Sequence, residues 1–175
     1  MLPNLQIDLP ENAFLRPLKV ADVTPGYVDG LNDPVVHRYL VGPRRERQTD
    51  ATVRQFVAAN AADPAAILFG LYIGAQLRGT CRLHDIDPGK GCAHLGISLF
   101  DRSIWGQGWG SRVIRAVAEH AVAAYGLSRI VAGIEEDNQA SRRSFTKAGF
   151  VSEDTTFEAH GALARRWHYR KMIAS

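Results

Sequence analysis

Two histidines, His84 and His94, stand on successive stretches where apolar and polar residues alternate. An imidazole, with pKa ~6.5, can take or return a proton near neutral pH without tuning. Alternation puts Cys92, His94, Gly96 and Ser98 on one strand face and Ala93, Leu95, Ile97 and Leu99 on the other. If Ile86 pairs with Cys92 across the intervening turn, His84 faces His94 and Cys81 faces Ile97. The histidine pair then has three readings: a solvated cross-strand pair, a catalytic His94 with or without His84, or a metal site. A metal wants a third ligand, and no second motif supplies one. Glu135 and Glu136, at the end of an apolar run, are alternative bases or plain surface charges, and Asp85 is a weaker candidate. Tyr169 offers a proton for a leaving group, or packs as an ordinary aromatic. Cys81 and Cys92 fall too far apart in this register for a disulfide, and neither takes a nucleophile's position.

A second chemistry lies at Gly106, Gly108 and Gly110. A glycine-rich turn between a strand and a helix presents unpaired N–H groups at the positive end of the helix dipole, which suits a phosphate. A tight structural turn is the plain alternative. Gly110 is followed by Ser111 and Arg112, not by the Lys-Ser/Thr of a nucleotide-binding P-loop. A dinucleotide fingerprint also fits poorly, because its third glycine position holds Ser111.

The elements that must position these groups follow from periodicity. Residues 12–18 read as a first strand stopped by Pro17, and residues 20–62 as two or three short helices, with Asp33-Pro34 and Thr49-Asp50 as starts. Residues 67–73, 76–86 and 91–100 read as three successive strands. Residues 111–125 form a helix with Val113, Ile114, Val117, Ala121 and Val122 on its apolar side, ended by Gly126. An apolar strand at 129–134, a helix capped by Asn138 and a hairpin over 150–173 turning at His160-Gly161 complete the chain. This order predicts an α/β (α+β) fold with a mixed, largely antiparallel sheet of about seven strands in one domain. Residues 20–62 would form a helical segment, 67–150 the core and 150–173 the terminal hairpin.

Composition excludes several classes. With 175 residues, 46% apolar and 22% charged, the chain can bury a core, so disorder is not its main state. No window approaches the ~20 apolar residues of a membrane span. The first residues carry no signal-peptide pattern, so a cytoplasmic location and no membrane partner are expected. The net charge is +3, but the basic groups Arg44, Arg45, Arg47 and Arg165, Arg166, Arg170, Lys171 are short and separate. They read as solvated surface, and no nucleic-acid partner is expected.

The run from Ala93 to Leu99, followed by Trp105-Gly106-Gln107-Gly108-Trp109-Gly110, resembles the acetyl-CoA-binding segment of GNAT N-acetyltransferases. Further on, Asn138, Ser141, Phe145, Lys147, Gly149 and Phe150 resemble that family's Asn-x-x-Ser and Lys-x-Gly-Phe segment. The Trp-Gly-x-Gly pattern is similar to the RimJ/RimL branch, the ribosomal-protein alanine acetyltransferases. The resemblance implies the GNAT fold, acetyl-CoA as co-substrate, no metal, and a primary amine as acceptor in a ternary complex. It implies that Gln107, Gly108, Trp109, Gly110 and Ser111 cradle the pyrophosphate. The backbone of Leu99 and Phe100 would bond the pantetheine arm as an added strand would. Asn138 and Lys147 would lie at the cofactor, with Ser141 near the thioester sulfur as an acid. Helix capping is an equally good and compatible role for Asn138. A homodimer is an expectation at family level. Trp105 stands where the family often has Arg or Gln, and His94 where related enzymes often place a Glu base. The missing Glu leaves a second class open, a non-catalytic acyl-CoA-binding regulatory domain.

Acyl transfer needs a neutral amine. At pH 7 a lysine side chain costs about 4.6 kcal/mol to deprotonate, an α-amine about 1.4. His94 suits the removal of that proton. The acceptor is expected to be a peptide N-terminal α-amine or a small-molecule amine held by residues 22–60 and the His160 turn, and the arginines there favour an acceptor of anionic or peptide character.

Overall fold

The computed structural model describes residues 5–40, 46–159 and 161–170. Arg44, Arg45, His160 and Lys171, which carried expectations above, lie outside the described residues.

The chain begins with β1 (Ile7–Leu9) and β2 (Ala13–Pro17). Three helices follow: α1 (Pro25–Asn32), α2 (Pro34–His37) and α3 (Asp50–Ala62). Then come β3 (Ile67–Ile73), β4 (Gln76–Asp87) and β5 (Cys92–Ser98). Helix α4 (Trp109–Tyr125), strand β6 (Arg129–Glu135), helix α5 (Gln139–Ala148) and strands β7 (Val151–Ala159) and β8 (Ala162–Arg170) end it. All the helices but α4, whose N-cap is Gly108, start where short polar side chains satisfy orphan N–H groups. Thr24 accepts from Tyr27, Asp33 from Val35, Thr49 from Thr52 and Asn138 from Ser141.

The strands form one sheet in the order β1-β2-β3-β4-β5-β6-β8-β7. The eighth strand relative to the expected seven is β1, which pairs Ile7 with Leu15 and Leu9 with Ala13 at the sheet's edge. Leu68 and Phe69, adjacent on β3, belong to two different cores because alternate side chains take opposite faces. On one face Phe69, Leu83, Ala93 and Leu95 pack with Val113, Ile114, Val117 and Ala121 of α4. On the other, Leu68 and Phe100 pack with Tyr27, Leu31, Val53 and Val57 of α1 and α3. Each such side chain contributes roughly 1.5–3 kcal/mol when fully buried, so both helical layers are anchored to the sheet.

One pairing sets the site. Strands β5 and β6 are parallel and pair only over Cys92–Arg129, Ala93–Ile130 and His94–Val131. Beyond His94 no pairing joins them among the described residues, while β6 stays paired to β8 through Glu135. The sheet is therefore split by a wedge that closes at His94.

The expected register holds at His84–His94 and Cys81–Ile97, but not at the turn. Asp87, not Ile86, pairs with Cys92, and the register shifts between His84 and Asp87. Asp85 takes up the extra residue with φ of 50°, left-handed for a residue that is not glycine.

Candidate active site

His94 sits at the closed end of the wedge with its side chain 47% exposed. His84 faces it across the β4–β5 ladder, the two rings stacked at 5.5 Å and 25°. In a regular strand Asp85 would point to the opposite face from His84. The bulge re-aims it. Its Oδ2 is hydrogen-bonded to His84 Nδ1 at 2.8 Å and lies 3.2 Å from His94 Nδ1. Burial, and then the Arg82 guanidinium, lower the His84 pKa from its ordinary value. Burial raises the Asp85 carboxyl, but the His84 hydrogen bond and the fields of His84, His94 and Arg82 bring it below the usual carboxylate range. Asp85 is the third side chain that no sequence motif supplied, since one donor atom from each of the three lies within 4.8 Å of the others. In the geometry present, one carboxylate oxygen is hydrogen-bonded to His84 Nδ1 and stands at ion-pair distance from His94 Nδ1.

On the wedge side of β5, Ser98 shares the His94 face, and its Oγ is buried without a partner among the described residues. From there the chain enters the glycine-rich turn. Gly106 and Gly108 have φ of 75° and 83°, and Gly106 has open space where a Cβ would go, so backbone angle, not crowding, requires glycine there. Gly110 is required by crowding: a Cβ would lie 2.9 Å from Ser144 Oγ of α5. No hydrogen bond is made within the described chain by the N–H groups of Gly106 through Ser111. These donors surround the start of a 17-residue helix, so the residues fit a pyrophosphate. Ser111 Oγ donates to Gly108 O at 2.9 Å, and Gln107 Nε2 to Ser103 O at 2.8 Å. Trp109 is 2% exposed, a core side chain with the Arg112 guanidinium 4.8 Å from its ring centre.

The other sequence-derived residues divide. Leu99 O already accepts the Trp105 indole N–H at 2.9 Å. Phe100 is buried, its ring stacked on Tyr27 at 4.6 Å and its carbonyl tight against Gly30. Asn138 Oδ1 accepts from Ser141 N at 3.0 Å, while the half-buried Ser141 hydroxyl has no partner among the described residues. Lys147 is exposed, and its carbonyl accepts from Arg115. Glu136 is tied to Arg165 at 2.8 Å and Arg142 at 3.7 Å, and the Arg165 hydrogen bond holds it below the usual carboxylate range, poorly suited to act as a base. Tyr169 packs on Phe150 at 5.4 Å. Both cysteines are free, and burial pushes the Cys81 thiol up, away from nucleophilic use.

No sequence pattern signals Asp85's aim or the Arg38–Asp137 pair, which joins the segment after α2 to the β6–α5 turn. Only a backbone conformation and a contact across the fold reveal them.

Residues 12–151 match the family model described as the acetyltransferase (GNAT) domain. The chain belongs to that family. This GNAT domain is an acetyltransferase by membership. It is 28% identical over 155 residues to the uncharacterized N-acetyltransferase YoaA of Bacillus subtilis (strain 168), covering 87% of this chain and 85% of that one. Its fold is similar to RimL, a ribosomal L7/L12 α-N-protein acetyltransferase solved with coenzyme A: TM-score 0.82, 19% identity, 95% of this chain and 98% of that one. It is also similar to the aminoglycoside acetyltransferase AAC(6')-Ib solved with coenzyme A: TM-score 0.76, 18% identity, 91% and 95% covered. No helix of this GNAT domain is long and apolar enough to cross a membrane among the described residues.

Proposed function

We propose that this chain transfers the acetyl group of acetyl-CoA to a primary amine by direct attack in a ternary complex, with a peptide N-terminal α-amine as acceptor. The observation that carries the reading is the wedge: β5 and β6 separate at His94, next to a turn whose successive N–H groups have no partner among the described residues. The free edge of β5 is where the pantetheine arm lies as an added strand, joined through Leu99 and Phe100 to the extent that their carbonyls remain open. Gln107 to Ser111 take the pyrophosphate, with Asn138 and Lys147 beside the cofactor. The CoA-bound RimL and aminoglycoside acetyltransferase folds support this assignment.

Acetyl-CoA supplies an acyl group already activated as a thioester. The protein's tasks are orientation and proton movement. His94 takes the proton that the amine nitrogen loses as its lone pair closes on the thioester carbon. Ser141 gives its hydroxyl proton to sulfur as the C–S bond breaks and recovers one from solvent. An α-amine asks for about 3 kcal/mol less deprotonation than a lysine side chain at pH 7, which suits an imidazole base. RimL's α-amine acceptor supports the same choice.

The test is thermal unfolding with acetyl-CoA, CoA and NAD in parallel, then CoA release with a free-N-terminus peptide, spermidine and an aminoglycoside. A ligand at about 100 times its Kd stabilises by ~2.7 kcal/mol. Shifts with acetyl-CoA and CoA alone, and fastest turnover with the peptide, are expected. No shift with either overturns the cofactor assignment, and faster turnover with spermidine or the aminoglycoside overturns the acceptor.

A further inference from the structure

We propose that Asp85 is the positioning residue of His94: its carboxylate, aimed by the β4 bulge, holds the Nδ1 sides of His84 and His94 so that the Nε2 of His94 is presented to the acceptor amine. This rests on the reading of His94 as the base and deepens it.

Three observations converge. Asp85 is one of three non-glycine residues with positive φ among those described, and it sits at the register shift of a long strand. Such a conformation is strained and persists only where the surroundings hold it. Its effect is to bring Asp85 onto the histidine face, which a regular strand forbids. There a single oxygen, Oδ2, reaches both Nδ1 atoms, at 2.8 Å and 3.2 Å.

The consequence is a favoured tautomer. A carboxylate oxygen 3.2 Å from His94 Nδ1 favours the proton on that nitrogen, leaving Nε2 with the lone pair. When His94 Nε2 takes the amine proton, the ring becomes an imidazolium with the Asp85 charge 3.2 Å from its other nitrogen. Asp85 itself keeps no proton. The groups facing the pair are Asp85, each other and Arg82, whose Nε is bonded to Asn60 at 2.6 Å. His84, the more covered ring, shares the oxygen and stacks on His94, which limits rotation of both.

The test uses the full chain with 15N-labelled histidine, read by NMR between pH 5 and 8, in wild type, Asp85→Asn and Asp85→Gly. Asn tolerates positive φ, and Gly adopts it freely, so the bulge survives in both. Wild type is expected to show His94 as the Nδ1–H tautomer. In both variants that signature is lost, and melting temperature stays level or rises with Gly. Where the peptide is acetylated, kcat falls about ten-fold in Asp85→Asn with KM for acetyl-CoA unchanged, a smaller loss than removal of the base itself. An unchanged tautomer overturns the proposal. The NMR readout needs no turnover, so it stands apart from the acetylation reading, whose failure would show as no CoA release by wild type.

Discussion

Arg38 Nη2 and Asp137 Oδ2 meet at 2.5 Å across 99 residues of sequence, tying the segment after α2 to the turn between β6 and α5. The turn lies at the open end of the β5–β6 wedge, directly before Asn138. Both side chains are more than half exposed, at 64% and 53%, so the pair contributes little to stability, of the order of 0–1 kcal/mol. In the proposed reaction, its placement would hold the helical segment of α1–α3 against the cofactor side. Arg38→Ala is expected to leave the melting temperature within a few degrees and to raise the acceptor KM several-fold, with the acetyl-CoA KM little changed. Steady-state kinetics with each substrate varied in turn checks this; a rise confined to the acetyl-CoA KM would place the pair elsewhere in the mechanism.

Gly108 separates the two demands on the phosphate turn. Its φ of 83° makes Gly108→Ala strained, by roughly 1–2 kcal/mol, although the nearest atom to a new Cβ is Arg112 Nε at 4.0 Å. For a chain of this length that is about 2–8 °C in melting temperature. Gly108 also lies in the run of N–H donors proposed to take the pyrophosphate, so acetyl-CoA stabilisation in a thermal shift should shrink beyond the loss seen without ligand. An equal shift in both proteins would mean the turn is only a turn.

Gly30 makes an opposite case inside a helix. Alanine there would gain about 1 kcal/mol of helix propensity. Its Cβ, however, would lie 2.9 Å from the Phe100 carbonyl oxygen and 2.8 Å from the Phe100 ring. Overpacking against a fixed backbone costs typically 1–3 kcal/mol, and the collision should win. Gly30→Ala is expected to lower the urea midpoint with an unchanged m-value; a raised midpoint would show that α1 can slide away from β5.

His120 and His84 both carry pKa values below the ordinary histidine value, in each case chiefly through burial. The sign follows directly. As pH falls through about 6.5, the unfolded chain binds protons that the folded chain does not, so stability declines. His120 packs edge-on against Phe69 and Tyr125, with a buried Nε2 lacking a partner among the described residues. His120→Phe should therefore flatten part of the stability loss between pH 7 and 5, measured by chemical denaturation. A slope identical to wild type would show that His120 titrates alike in both states.

Much of this architecture is written locally in the sequence. Thr49, Asp33 and Asn138 announce their helices because capping is a contact of two or three residues. His84 and His94 face each other because antiparallel register follows from alternation. The features that escaped depend on something non-local. Strand β1 spans only Ile7–Leu9, too short for a pattern. The bulge rests on an aspartate at positive φ, where glycine or asparagine would have been the signal. The capture of Leu99 O by Trp105 and the covering of Phe100 by α1 depend on tertiary packing, and they change what the β5 edge can offer.

The most direct measurement is the pH dependence of kcat for acetyl transfer to the free-N-terminus peptide, in wild type and His94→Ala, with CoA release followed from pH 5.5 to 9. The account predicts that wild-type kcat rises through the histidine range, and that His94→Ala is slower at pH 7 by about 10²–10⁴-fold with that acidic limb flattened. Equal rates and the same acidic limb in both proteins would contradict it, and would assign His94 to the structure of the wedge alone.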